Sequence, residues 1–251
     1  MTAEHAARAL HAALAGGPPL DALPDGAVPE DIGTAYAIQD RLVALDGRGI
    51  IGWKLAVSTA AAQAANGLSE PTVAPLLSGM LAETGADFRA GTFRQPEIEP
   101  EFALTLVTDL DGDADADAVR AATGAVRLAM EIADTRYVTK GVHGQPGSIA
   151  DLNCDGALVL GPGVPPEAVS DSEITAILAD GTPVAGFAPD KRPDPFAVTA
   201  FLARFLAARG RHLRAGDVIT TGTCAPPTRT PPGEVRCDFG RYGAVSATIA
   251  G

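Results

Sequence analysis

Glu99 and Glu101 lie close together in Glu97-Ile98-Glu99-Pro100-Glu101, and Glu131 follows in Ala129-Met130-Glu131-Ile132-Ala133. Side chains alternate along a strand, so Glu99 and Glu101 are expected on one side. The residues after them are apolar on both faces, with Phe102, Leu104 and Leu106 on one and Ala103, Thr105 and Val107 on the other. Such a strand is usually buried on both faces. Carboxylates there take up protons, find cations or bind metal. Three of them suit a hard divalent cation, Mg²⁺ or Mn²⁺, whose open positions would receive a bidentate ligand such as a 2-oxo acid. The competing reading puts the same glutamates on an exposed edge, solvated or paired with arginines. Glu97 shares the parity but precedes the apolar run, and is expected at the rim.

Lys54 is the second informative residue. Its neighbours in Ile50-Ile51-Gly52-Trp53-Lys54-Leu55-Ala56-Val57 are apolar or glycine, and lysine is seldom buried without a partner. Either it faces the carboxylates as an acid, a base or an anion anchor, or it snorkels from an edge strand. His143 lies in the polar, glycine-rich stretch Thr139–Gly147, which reads as a surface loop or as a mobile lid. Thr220-Thr221-Gly222-Thr223 at a strand end and Asp151-Leu152-Asn153-Cys154-Asp155-Gly156 before another offer hydroxyl, amide and backbone donors. By themselves both are ordinary turn chemistry.

The elements that must position these groups are short. An Ala-rich helix is expected over 2–15 and a second over 31–45, followed by strands at 50–57, 101–108, 156–160, 174–178, 218–221 and 244–249. Further helices are expected near 114–125 and 195–208. The chain has 251 residues, 28 of them glycine and 20 proline, a mix that favours strands and tight turns over a helical bundle. A net charge of −12 argues against a nucleic-acid surface. The three cysteines are widely spaced and suggest neither a disulfide framework nor a zinc site. No apolar run is long enough to span a membrane, and no secretory signal is expected, so a cytoplasmic location is the default. No serine-hydrolase elbow, phosphate loop or dinucleotide fingerprint occurs.

Taken together, Ala35-Tyr36-Ala37-Ile38-Gln39, Gly52-Trp53-Lys54, Glu99-Pro100-Glu101, Met130-Glu131-Ile132 and Gly216-Asp217-Val218-Ile219-Thr220-Thr221-Gly222 resemble, in that order, the 2-keto-4-pentenoate hydratase family of the fumarylacetoacetate hydrolase superfamily. The resemblance implies an α+β fold with a mixed β-roll or barrel-like core. A small helical N-terminal segment at 1–48 would precede a β-rich catalytic core at 49–251. It also implies a homo-oligomer and a Mg²⁺- or Mn²⁺-dependent site. Carried over by position, Glu99, Glu101 and Glu131 look like metal ligands and Lys54 like the active-site lysine. Thr221 looks like a contact to the substrate's carboxylate end. Asn153, from the turn before the strand at 156–160, is taken as a candidate substrate contact on its own segment.

The departures from the family pattern are local. Hydratases of the family usually carry an acid just after the proline that follows the lysine strand; here Thr72 stands at that place, taken as a substrate contact. The decarboxylases also lack that acid. Glu70, two residues earlier, is the candidate catalytic replacement if the loop is remodelled. Ala56 replaces an expected glycine, and Lys191-Arg192-Pro193-Asp194-Pro195 stands where Gly-His-Pro is expected. The expected function is therefore a metal-dependent lyase on an enolisable 2-oxo acid, by hydration of a 2-hydroxydienoate or vinylogous decarboxylation of a 4-oxalocrotonate-type acid. The rival readings are a C–C hydrolase of an acylpyruvate and a catalytically silent binding protein.

Overall fold

The structure, a computed structural model, describes residues 2–251. The order begins α1 (Thr2–Leu14), α2 (Ile32–Asp46), β1 (Ile50–Ala56), α3 (Ala60–Ala65), β2 (Thr72–Leu77), β3 (Leu81–Glu83), β4 (Ala86–Phe88) and β5 (Glu97–Leu106). It continues with α4 (Ala116–Ala122), β6 (Thr123–Ala133), α5 (Gly144–Ala150), β7 (Asp155–Val164), α6 (Ala168–Asp171), β8 (Thr175–Ile177) and β9 (Pro183–Ala185). The last elements are α7 (Pro195–Ala207), β10 (Val218–Thr220), β11 (Thr228–Arg229), β12 (Gly233–Asp238) and β13 (Ala244–Ile249). No helix among the described residues is long and apolar enough to cross a membrane.

The architecture is α+β with a mixed sheet curled into a half-barrel. That sheet runs β2-β1-β10-β5-β6-β7-β3, with β11 also paired to β5. A second sheet runs β4-β13-β12-β8-β9 and covers one face of the first. Their shared core includes Phe102 against Phe239, edge to face at 5.4 Å between ring centroids. A separate apolar cluster joins α1 and α2, through Leu10, Ile38 and Leu42, to Ala74 and Leu77 of β2 and to Tyr137.

Local sequence accounts for the helix ends. The Asp31 side chain accepts the Thr34 N–H at 2.6 Å at the start of α2, and Gly47, with φ 73°, closes it in the left-handed region. Asp194 accepts the Phe196 and Ala197 N–H groups ahead of Pro195, a proline suited to the first turn of α7. At Gly52 a Cβ would stand 1.9 Å from the Val218 carbonyl oxygen, so the close approach of β1 to β10 requires glycine.

Several elements differ from the sequence expectation. The strand expected at 101–108 begins earlier, so Glu97, Glu99 and Glu101 all lie on β5. Its Pro100 sits in a central strand because its carbonyl, and hence its missing N–H, faces the loop between β10 and β11, where Cys224 N–H donates to it at 2.7 Å. The helix expected to reach 125 stops at Ala122, and the next residues form the long strand β6. Strand β2 carries Pro75 in its middle and lies at the edge of its sheet, where a lost ladder bond is tolerated.

Beneath the site Arg136 pairs with Asp151, both buried, and Thr135 adds a hydroxyl at 2.9 Å. Arg136 Nη1 also donates to the Asp155 carbonyl at 2.5 Å. Removing one partner of a buried pair leaves the other charge uncompensated. Arg136→Met is expected to lower unfolding free energy in urea by about 3–5 kcal/mol, with Arg136→Met/Asp151→Leu recovering most of it. Equal loss in single and double variants would show that the pair is not the origin.

Candidate active site

Strands β5 and β6 are antiparallel, and their register sets Glu99 directly opposite Glu131, with Glu101 one step along on the same face. Carboxylate oxygens of the three lie within 4.8 Å of one another. Glu101 and Glu131 are fully buried, whereas Glu99 reaches the wall of a cavity and keeps partial exposure. The exposed-edge reading of these glutamates is thus excluded. Glu101 accepts from the Thr220 hydroxyl and, at 3.0 Å, from the Gly222 N–H. Burial and the charge of Glu99 push the Glu101 carboxyl up to about 8. Burial also raises Glu99, against the opposing pull of Lys54 and Lys140. Glu97 sits at the rim, as expected, paired with Lys140.

Lys54 is 3% exposed and belongs to an interior strand, β1, between β2 and β10. It does not snorkel from an edge. Its Nζ donates to Glu131 and to the Asn153 carbonyl at 2.9 Å. That carbonyl is presented by three consecutive left-handed residues, Leu152, Asn153 and Cys154, with φ 52°, 50° and 60°. Each such non-glycine residue costs roughly 1–2 kcal/mol, so surrounding structure must hold the turn. Val57, at φ 53°, strains the other end of the lysine strand. An ammonium has three donors, so one remains for the cavity that Lys54 lines.

The cavity measures about 920 Å³ and is lined by Thr72 and Asn153 among others. The Thr72 hydroxyl has only a weak 3.5 Å contact to the Ala56 carbonyl. Two of the sequence candidates are not brought to this space. Glu70 is exposed and outside the cavity lining, so the loop is not remodelled to deliver it. Thr221 turns its hydroxyl to the Phe102 carbonyl at 2.8 Å, away from the glutamates. Its neighbours Thr220 and Gly222 make the contacts instead, and Thr223 reaches the cavity. Their common signal is the strand register: Thr220 is paired with both Lys54 and Ala103. His143 is no part of the cavity lining; its Nε2 accepts the Leu23 N–H at 2.9 Å and its ring packs edge-on to Tyr137.

The donor set fits a hard divalent cation. All three candidate ligands are carboxylates, and Glu131 Oε2 is buried with no partner among the described residues. With Glu101 protonated near neutrality, an entering cation must displace a proton. Mn²⁺ affinity is therefore expected to rise by up to roughly tenfold per pH unit from about pH 6 to 8 and then flatten. Calorimetry in buffers of different ionisation enthalpy should read about one proton released at neutral pH. A flat profile with no proton release would show that Glu101 takes no part.

No family model matches the chain. It is 30% identical to 2-keto-4-pentenoate hydratase 1 of Dechloromonas aromatica (strain RCB), over 93% of this chain and 91% of that enzyme. Identity to a 4-oxalocrotonate decarboxylase of Pseudomonas sp is 29%, over 80% of this chain and 79% of that one. The fold is shared with 4-oxalocrotonate decarboxylase from Pseudomonas putida G7, solved with magnesium and adipate. There the TM-score is 0.84 and the identity 23%, over 98% of this chain and 96% of that one. On the length and level of the first match, the chain belongs to the 2-keto-4-pentenoate hydratase family.

Proposed function

We propose that the protein is a Mg²⁺- or Mn²⁺-dependent lyase acting on an enolisable 2-oxo acid, by hydration of a 2-hydroxydienoate or vinylogous decarboxylation of a 4-oxalocrotonate-type acid. The carrying observation is the carboxylate cluster of Glu99, Glu101 and Glu131 at the wall of a cavity, with Lys54 bonded to it. The names of the curated relatives, hydratases and a decarboxylase, point the same way.

Glu99, Glu101 and Glu131 would hold the cation, which would supply a Lewis acid for the oxygens of the 2-oxo acid and offset negative charge developing there. Thr220 and Gly222 orient the Glu101 carboxylate. Lys54 is fixed by Glu131 and the Asn153 carbonyl, which leaves Nζ able to give or take a proton on the bound acid. Asn153 Nδ2 is buried without a partner and lines the same space, so it is assigned as a substrate donor. Thr72 lines the same cavity as a neutral wall. Both reactions move electrons toward the 2-oxo end, and the Lys54 proton is placed to serve either. The assembly is proposed to be a cytoplasmic homo-oligomer, in line with the family resemblance. An acylpyruvate hydrolase would need an activated water, and the histidine that the sequence offers is engaged with Leu23 outside the cavity.

The test is turnover of 2-hydroxydienoates, 4-oxalocrotonate and acylpyruvates with added Mg²⁺ or Mn²⁺, products read by NMR. Formation of a 4-hydroxy-2-oxo acid or release of CO₂ is expected, abolished by chelator and by Glu99→Gln. Lys54→Met should keep Mn²⁺ binding and lose roughly 10²–10⁴-fold in kcat. Cleavage of acylpyruvate into two acids, or no turnover of any substrate, would overturn the reading.

A further inference from the structure

Four cations line the cavity, and they are not equivalent. Lys54 is paired with Glu131, and Lys140 with Glu97. Lys191 and Arg192 form no ion pair among the described residues, although the chain carries 31 acidic against 19 basic residues. Two acids flank them on the same wall. Asp194 is engaged at the N-terminus of α7, and Asp190 is exposed and bonded to neither cation.

The Arg192 guanidinium is half-buried and held in a fixed plane. Its Nε donates to the Phe187 carbonyl at 2.8 Å, and Nη1 donates to the Ser172 carbonyl at 2.9 Å and, weakly, to Val169 at 3.4 Å. Nη2 has no protein acceptor among these bonds. Burial lowers the Arg192 pKa. No carboxylate, Glu99 and Glu101 included, is within ion-pair distance of it among the described residues. A desolvated guanidinium that is oriented by carbonyls and left without an anion is a preformed receptor for a carboxylate.

We propose that Arg192, assisted by Lys191, is an anion subsite that takes the second carboxylate of a dicarboxylic 2-oxo acid, making the preferred substrate a diacid. This rests on the reading above, in which the 2-oxo end lies at the glutamates. Arg192 lines the same cavity as Glu99 without pairing to it, so a bound diacid meets a second point of attachment besides the glutamates. A monocarboxylic substrate with an apolar tail would leave the guanidinium desolvated and unpaired.

Binding to the Mn²⁺-loaded protein tests this with two inert probes of equal carbon number, 2-oxoadipate and 2-oxohexanoate. Calorimetry is expected to show 2-oxoadipate bound at least about tenfold more tightly, with the gap narrowing at high salt. Arg192→Gln should remove the gap while leaving 2-oxohexanoate within about twofold, which also serves as the control for an intact site. Lys191→Met, at an exposed position, should narrow it by a few fold. Arg192→Lys keeps the charge without the fork and is expected to retain a reduced preference, covering the case in which Arg192→Gln fails to fold. Equal affinity for both acids in the unaltered protein, or a preference left undiminished by all three substitutions, would overturn the subsite while leaving the lyase reading intact. Failure of both acids to bind in a metal-dependent manner would sink the lyase reading and the subsite with it.

Discussion

Two glutamates directly opposite each other on a buried antiparallel pair, with a third on the same face, form an arrangement that repels itself. The rest of the first sheet is organised around relieving it. Relief comes from β1 through Lys54 and from β10 and the turn after it through Thr220 and Gly222. It also explains the order β1-β10-β5-β6, since a parallel partner for β1 brings Lys54 level with Thr220. The Gly52 contact with Val218 is what allows that pairing to be so close. Even so, Glu131 Oε2 is unsatisfied and Glu101 holds a proton near neutrality, so the relief is incomplete without a cation.

The strained backbone belongs to the same problem. Lys54 needs an acceptor besides Glu131, and the chain supplies a carbonyl by running Leu152–Cys154 through left-handed conformations. That turn persists because its surroundings over-determine it. Asp151, just before it, is gripped by Arg136, Arg136 also holds the Asp155 carbonyl just after it, and Cys154 bonds back to Asp134 through backbone at 2.7 Å. A buried ion pair that adds little net stability thereby fixes the direction of one carbonyl at the candidate site.

What the sequence made legible was set by short-range pattern. Alternation placed Glu99 and Glu101 on one face, and an all-apolar context marked Lys54 as buried; both follow from periodicity within a few residues. Strand β6 was hidden because Ala125, Leu128, Ala129, Met130 and Glu131 favour helix, and only pairing with β5 and β7 makes them strand. Adjacent threonines could not be told apart for the same reason. Which of Thr220 and Thr221 faces Glu101 depends on the register of β10 against two distant strands. Glu70 was a plausible reach in sequence and lies exposed in the fold.

The walls of the cavity are consequently built by different means. The glutamate end rests on strands, where register holds side chains firmly and tolerates little change. Other parts of the wall come from α3, which buries no residue, and from the segment between Phe187 and Asp194. Loop-borne walls of this kind are the parts of a fold most free to vary in sequence. A family that keeps the strand-borne end while rewriting the loop-borne end can retain the chemistry and change the tail it accepts. The family resemblance puts such a departure at Lys191 and Arg192, which form no ion pair among the described residues.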